Sequence, residues 1–178
     1  SREYKHGAEV EKEGHNKYSL NPEFESQYDS WNKKDRIRFH LGTSSQVFEE
    51  VGIPPRNVYI DGGKILKMLN KHEELDHSII KQIPNILENP ILILTPQKIE
   101  SANRSDTSVS VFSDVNGLNN SPIMVALELQ PTKTSEGTDY IIVLSAYSRN
   151  NLENYIKNAD IAYIDPNEER TNNWLHQN

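Results

Sequence analysis

The spacing of apolar residues changes once along the chain, near Pro90, and that change sets the expected fold class. Ahead of it the period is helical. Phe24, Tyr28 and Trp31 stand at i, i+4 and i+7 behind Asn21-Pro22-Glu23, where Asn21 is a candidate cap and Pro22 suits the first helical position. Ser44 or Ser45 can cap a short helix carrying Val47, Phe48 and Val51, which Gly52 and Pro54-Pro55 stop. Val58-Tyr59-Ile60 is extended and brief, and Asp61-Gly62-Gly63 reads as a turn. A helix is predicted from Lys64 to His72, with Ile65, Met68, Leu69 and His72 on one face and Lys64, Lys67 and Lys71 on a neighbouring one. Asp76 caps a further helical pattern, Ile79, Ile80, Ile83, Ile86 and Leu87, which Pro84 is expected to break or restart.

After Pro90 the period becomes extended. Strands are predicted at Ile91–Thr95, Ser108–Ser113, Ile123–Gln130, Tyr140–Arg149 and Ile161–Asp165, with one helix at about 151–159 interrupting them before the last. Helices followed by a run of strands mean α+β. Short connections favour antiparallel pairing, so the expected architecture is a set of N-terminal helices packed on one face of an antiparallel sheet of about five strands.

Composition narrows the possibilities. The chain has 178 residues, 19 Lys and Arg against 26 Asp and Glu, a net charge of −7 and no Cys. Disulfide scaffolds, thiol nucleophiles and Cys-based metal sites are excluded, and nucleic-acid binding through bulk charge alone is disfavoured. No apolar run approaches the roughly 20 residues of a membrane-spanning helix, and Ser1-Arg2-Glu3-Tyr4-Lys5 does not resemble a signal peptide. Residues 1–40 balance eight basic against eight acidic residues, so all net acidity lies beyond them. The expected organisation is a mobile linker from a larger parent protein over 1–20, a short helix and connection packing on the domain over 21–40, and the domain itself over 41–178.

Three groups of residues carry possible chemistry. The stretch Arg56 to His72 is locally basic, and His72 ends its helix on the apolar stripe with Lys67 and Lys71 close by; imidazole is the side chain that exchanges protons near neutral pH. A helix-terminal His that bonds free backbone carbonyls is the simpler explanation. In the strand Tyr140–Arg149, alternation places Ser145, Tyr147 and Arg149 on one face and Ile142, Leu144 and Ala146 on the other. Two hydroxyls and a guanidinium suit a phosphate, although the solvated side of a half-buried sheet needs no function. In the run Glu169 to Leu175, Arg170 and Thr171 offer phosphate contacts, while Trp174 reads as core rather than a base-stacking platform. Phosphate-loop, dinucleotide, zinc-protease and nucleophile-elbow motifs are absent from the sequence, and His72 and His77 do not share a helical face well enough for a metal.

The order Lys64-Ile65-Leu66-Lys67-Met68-Leu69-Asn70-Lys71-His72, Ile83-Pro84-Asn85-Ile86-Leu87-Glu88-Asn89-Pro90, Leu144-Ser145-Ala146-Tyr147, Tyr163-Ile164-Asp165-Pro166 and Arg170-Thr171-Asn172-Asn173-Trp174-Leu175 resembles the C-terminal nuclease-like domain of phage MuF-type head proteins and bacterial polymorphic toxins. That group is placed with the barnase/EndoU/colicin/RelE-like ribonucleases, and the resemblance spans roughly residues 40–176. It implies a metal-independent ribonuclease toxin without cofactor, delivered from a larger secreted or phage-associated protein into the target cytoplasm. Its partners would be an RNA substrate, tRNA among the candidates, a cognate immunity protein and, as for some toxins of this type, a host cofactor protein. By position, the resemblance makes His72 the leading catalytic candidate, with Lys67, Ser145, Tyr147 and Arg104 beside it. Lys71, Arg149, Arg170, Thr171 and Thr95, the last replacing a commoner Ser, are candidate substrate contacts.

The expected reaction is attack of an RNA 2′-hydroxyl on the adjacent phosphate. It needs a base, an acid and fixed positive charge, and no metal. The alternative is a non-catalytic protein-interaction or phage structural domain with an acidic surface. ADP-ribosyl transfer ranks lower, because Ser108-Val109-Ser110 follows Glu23-Phe24-Glu25 rather than preceding it.

Overall fold

The computed structural model describes residues 19–96, 108–130, 137 and 139–178, so residues 1–18 of the linker expected over 1–20 lie outside it. The first aromatic stripe forms α1 (Phe24–Ser30), whose Phe24 and Tyr28 are buried together with Trp31 just beyond it. All three rings meet Phe39, at centroid distances of 5.5, 6.0 and 5.4 Å. Asn21 does not cap this helix: its amide donates to the His40 carbonyl at 2.7 Å and its side-chain oxygen accepts from the Glu23 N–H. Phe39 belongs to β1 (Arg38–Thr43), a strand the apolar spacing did not predict, which runs across the boundary drawn at residue 40. Residues 19–21 lie along it, with Thr43 N–H donating to the Ser19 carbonyl at 2.8 Å and Asn21 N–H to that of Leu41 at 3.0 Å. Gly42, at φ +119°, permits this approach, since a Cβ there would stand 2.4 Å from the Ser19 oxygen.

A short α2 (Gln46–Glu50) ends at Gly52, also at positive φ, and leads to β2 (Asn57–Asp61), antiparallel to β1. Two longer helices follow, α3 (Gly62–Lys71) and α4 (His77–Glu88). Asp76 caps α4 as expected, accepting from Ile79 N–H at 3.0 Å. Pro84 does not break α4. Burial of Ile79, Ile80, Ile83, Ile86 and Leu87 on either side of it outweighs the roughly 3 kcal/mol that an interior proline costs.

The five expected strands are present as β3 (Leu92–Pro96), β4 (Ser108–Asn116), β5 (Pro122–Gln130), β6 (Tyr140–Ser148) and β7 (Ala159–Ile164), with β3 to β6 forming an antiparallel meander. The sheet is larger than expected and mixed. Its order is β1-β2-β6-β5-β4-β3-β7, and β2 runs parallel to β6 because helices and three strands intervene between them. The expectation of about five antiparallel strands is corrected accordingly.

Alternation divides the sheet's residues between two cores. Ile93, Val111, Val125, Leu127, Val143 and Ala146 pack with α1, α3 and α4, while Leu92, Leu94, Phe112 and Met124 pack with Leu152 and Trp174. Those last two belong to α5 (Leu152–Lys157) and α6 (Glu168–Gln177), so helices cover both faces rather than one. Trp174 is core, as expected. In β6 the pairing with β5 slips between Val143 and Ser145. The extra residue puts Val143 and Ala146 on the same side, so Ile142 leaves the face expected for Ala146, while Ser145 and Tyr147 keep theirs opposite Ala126 and Met124.

Candidate active site

His72 caps the C-terminal end of α3, where its backbone N–H still bonds the Met68 carbonyl at 2.9 Å. Because α3 follows β2 directly and packs on β6, the ring arrives beside the second half of that strand. It stacks on Tyr147 with centroids 5.2 Å apart and planes 17° from parallel. Nδ1 lies 3.4 Å from Oε1 of Glu74, and the His72 side chain is 21% exposed. The ring is therefore neither sealed in the core nor engaged in capping carbonyls. Among the described residues, Nε2 has no hydrogen-bond partner.

Glu74 is held by its surroundings. Its Oε2 accepts from the Ser148 hydroxyl at 3.1 Å, and Ser148 in turn accepts from the Asn119 amide at 2.9 Å. Its backbone carbonyl accepts from Leu118 N–H at 2.9 Å, and Gly117 packs so closely that a Cβ there would meet Glu74 at 3.1 Å. The turn between β4 and β5 thus clamps the carboxylate that stands beside the imidazole. Sequence reasoning missed Glu74; the available signal was the acidic pair immediately after His72.

On the other side of Tyr147, Arg149 donates from Nη2 to the tyrosine hydroxyl at 2.8 Å. Its guanidinium lies 4.8 Å from the Tyr147 centroid and 4.4 Å from that of Tyr155, whose hydroxyl is 3.1 Å from the Ser110 hydroxyl. Among the described residues, Arg149 Nε is buried without a hydrogen-bond partner. Two aromatic faces and one hydroxyl thus fix this cation close to the imidazole–tyrosine stack. Ser145 is half-buried on the same face of β6, and Lys71 is exposed in the last turn of α3.

The remaining candidates lie elsewhere. Lys67 lines an open cleft of about 460 Å³ with Arg36, Ile37, Arg38, Asp61, Gly63 and Lys64. Thr95 pairs with Asp160 on β7, and β3 lies three strand spacings from β6, about 14 Å. Arg104 lies outside the described residues. Arg170 is engaged in a lock around the start of α6: Nε and Nη2 bond both oxygens of Asp114 at 3.2 and 3.0 Å, Nη1 bonds Asp165 at 2.6 Å, and the Asn89 carbonyl accepts at 2.8 Å. The hydrogen bond from Arg170 holds the Asp114 carboxyl below its ordinary range. For Asp165, burial pushes the other way but is outweighed by the Asn167 N–H and Arg170, so its carboxyl is also lowered. Thr171 is buried and donates to the Asp165 carbonyl at 2.8 Å. These contacts place Arg170 and Thr171 in the scaffold rather than with His72.

Among the described residues no group of three or more His, Asp or Glu converges in a way that could hold a metal ion, and no helix is long and apolar enough to cross a membrane. The site gathers an imidazole, a carboxylate oxygen 3.4 Å from its Nδ1, hydroxyls and a fixed cation, a set that can move a proton beside a bound anion.

Comparison with known proteins adds one match. Neither the curated proteins nor the solved structures yielded one. The family description that fits is the phage MuF C-terminal domain, and it covers residues 64–171, from the first lysine of α3 to Thr171 of α6. That span takes in His72, Glu74, Tyr147 and Arg149 and more than half of the chain, which therefore belongs to the phage MuF C-terminal domain family.

Proposed function

We propose that this domain is a metal-independent endoribonuclease with His72 at its catalytic centre. The observation that carries the reading is the His72 ring, stacked on Tyr147 with Nδ1 3.4 Å from Oε1 of Glu74 and with Nε2 left for a substrate. In the proposed reaction the 2′-oxygen of RNA forms a bond to the adjacent phosphorus and the bond to the 5′-oxygen breaks. The products are a 2′,3′-cyclic phosphate and a 5′-hydroxyl. His72 takes the 2′-hydroxyl proton or returns one to the departing oxygen. Glu74 stands against Nδ1 and helps keep the imidazole in register, leaving Nε2 toward the substrate. Arg149 and Lys71 supply positive charge where the phosphorane gains negative charge, and Tyr147 and Ser145 supply hydroxyl donors.

The same reading places the domain with the barnase/EndoU/colicin/RelE-like ribonucleases. It makes the domain a toxin released from a larger phage-associated or secreted protein into a target cytoplasm and neutralised by an immunity protein. The test is to incubate the purified protein with total bacterial RNA, with and without EDTA and with and without cell extract, and to analyse the ends. Discrete fragments with cyclic-phosphate ends that persist in EDTA are expected. Cutting that EDTA abolishes would replace the mechanism with a metal-dependent one, and intact RNA in every condition would remove the reading.

A second reading, a non-catalytic protein-binding domain, is favoured by one observation: β7 is an edge strand, with Ile161 53% and Ile164 48% exposed. Intact RNA in the same assay favours it.

A further inference from the structure

The proposed chemistry leaves unused the cleft lined by Arg36, Ile37, Arg38, Asp61, Gly63, Lys64 and Lys67. Its volume, about 460 Å³, is that of a site for a small ligand or one monomer unit of a polymer. Four cations face one carboxylate there. Asp61 is already occupied: Arg38 bonds it through Nε at 2.6 Å and Nη2 at 3.1 Å. Among the described residues Arg36, Lys64 and Lys67 have no ion pair, so the cleft keeps a surplus of positive charge in a protein whose net charge is −7. A concave surface of one sign focuses potential even when the rest of the molecule opposes it. Asp61 makes no side-chain cap to α3 and its charge is engaged by Arg38, and no acidic residue stands in that helix's first turn.

The cleft is connected to His72. Lys64, Lys67 and Lys71 succeed one another along α3 at i, i+3 and i+7, one stripe running from the cleft to the residue before His72. Eight residue steps lead from Lys64 to His72, an axial rise of about 12 Å. A single strand whose reacting phosphate lies at His72 can follow this lysine row and place a neighbouring phosphate in the cleft.

We infer that the Arg36–Lys64–Lys67 cleft is a phosphate-binding subsite for single-stranded RNA, gripping the backbone away from the scissile position. The inference deepens the ribonuclease reading and rests on it for the identity of the polyanion. An acidic protein partner is the competing occupant. The ribonuclease reading makes a phosphodiester strand the better fit, because the lysine row prolongs the cleft toward the residue proposed to act on one.

The test uses the intact protein and an Arg36→Gln/Lys64→Gln double variant, both substitutions lying on exposed side chains. Binding of a 2′-O-methyl oligoribonucleotide, which the proposed reaction cannot cleave, is followed by fluorescence anisotropy across a salt series. Loss of two phosphate contacts should weaken binding on the order of tenfold at low salt and reduce the slope of log K against log salt by about 1.4. Cleavage of a dinucleotide should be unchanged, while KM for a longer RNA rises. Unchanged affinity and slope overturn the inference. So does a variant that binds the oligonucleotide normally but loses affinity for polyglutamate, which would assign the cleft to an acidic protein. If the wild type cleaves no RNA yet shows the expected loss of oligonucleotide binding on substitution, the subsite stands and the ribonuclease reading fails.

Discussion

Replacing Arg170 by Ala separates a scaffold role from a substrate role. Arg170 donates to both oxygens of Asp114, to Asp165, to the Asn89 and Pro90 carbonyls and to the Ser113 hydroxyl. The side chains of Arg170, Asp165 and Asp114 are 25%, 14% and 60% exposed. Water replaces the lost partner readily at Asp114, so that pair contributes little. Asp165 is mostly enclosed, and stranding it approaches the lower end of the roughly 3–5 kcal/mol cost of breaking a buried pair. With partial rehydration of the carbonyls, the expected loss is about 3 kcal/mol, or about 6–12 °C in Tm for a chain of this size. Urea unfolding followed by circular dichroism measures it, and a cycle with Asp165→Asn should return a coupling of about 1–2 kcal/mol. A loss below about 0.5 kcal/mol without coupling would refute the lock. Loss of RNA binding at unchanged stability would return Arg170 to the substrate side.

Acid should act through the same cluster. Asp114 and Asp165 titrate below their ordinary value of 3.8 in the folded protein, so the unfolded chain takes up protons first as pH falls. Their stabilisation is full above that value and declines below about pH 4, and Arg170→Ala should flatten this decline in a pH series of urea midpoints. Gly42→Ala places a Cβ 2.4 Å from the Ser19 carbonyl at φ +119°, so a loss of about 1–3 kcal/mol and faster amide exchange at Asn21 and Thr43 are expected. Asp76→Ala removes the α4 cap and should cost about 1 kcal/mol by the same unfolding assay. Glu74→Gln should lower kcat on RNA by on the order of tenfold or more with KM little changed, because it frees the imidazole without touching the lysine row.

The strands beyond Pro90 were legible because half-buried meander strands alternate, and so was the helix that ends at His72. Of the other two strands, β2 showed only as a brief extended segment and β1 not at all. Phe39-His40-Leu41 and Val58-Tyr59-Ile60 are buried at consecutive positions, which erases a period of two, and Gly42 interrupts the first at positive φ. Their pairing with distant segments, which makes the sheet mixed, leaves no local trace. The stripe and the strand face showed His72 and Tyr147 separately, their meeting was expected only from the family resemblance, and the ring stack brings them together. Glu74 was hidden because a carboxylate in a polar connection looks solvated until the β4–β5 turn closes on it. Arg170 misled for the converse reason: an arginine beside a threonine suits a phosphate, and nothing local reveals a carboxylate 56 residues earlier. Arg36 and Arg38 were passed over as a connection, yet β1 and α3 bring them to one cleft.

The most direct test of the account is the rate at which His72→Ala cleaves an end-labelled RNA, measured beside the wild type at equal folded concentration. Transfer of a proton by this imidazole predicts a fall of roughly 10²–10⁴-fold with the circular dichroism spectrum unchanged. Cleavage at the wild-type rate, with the same cyclic-phosphate ends, would contradict it.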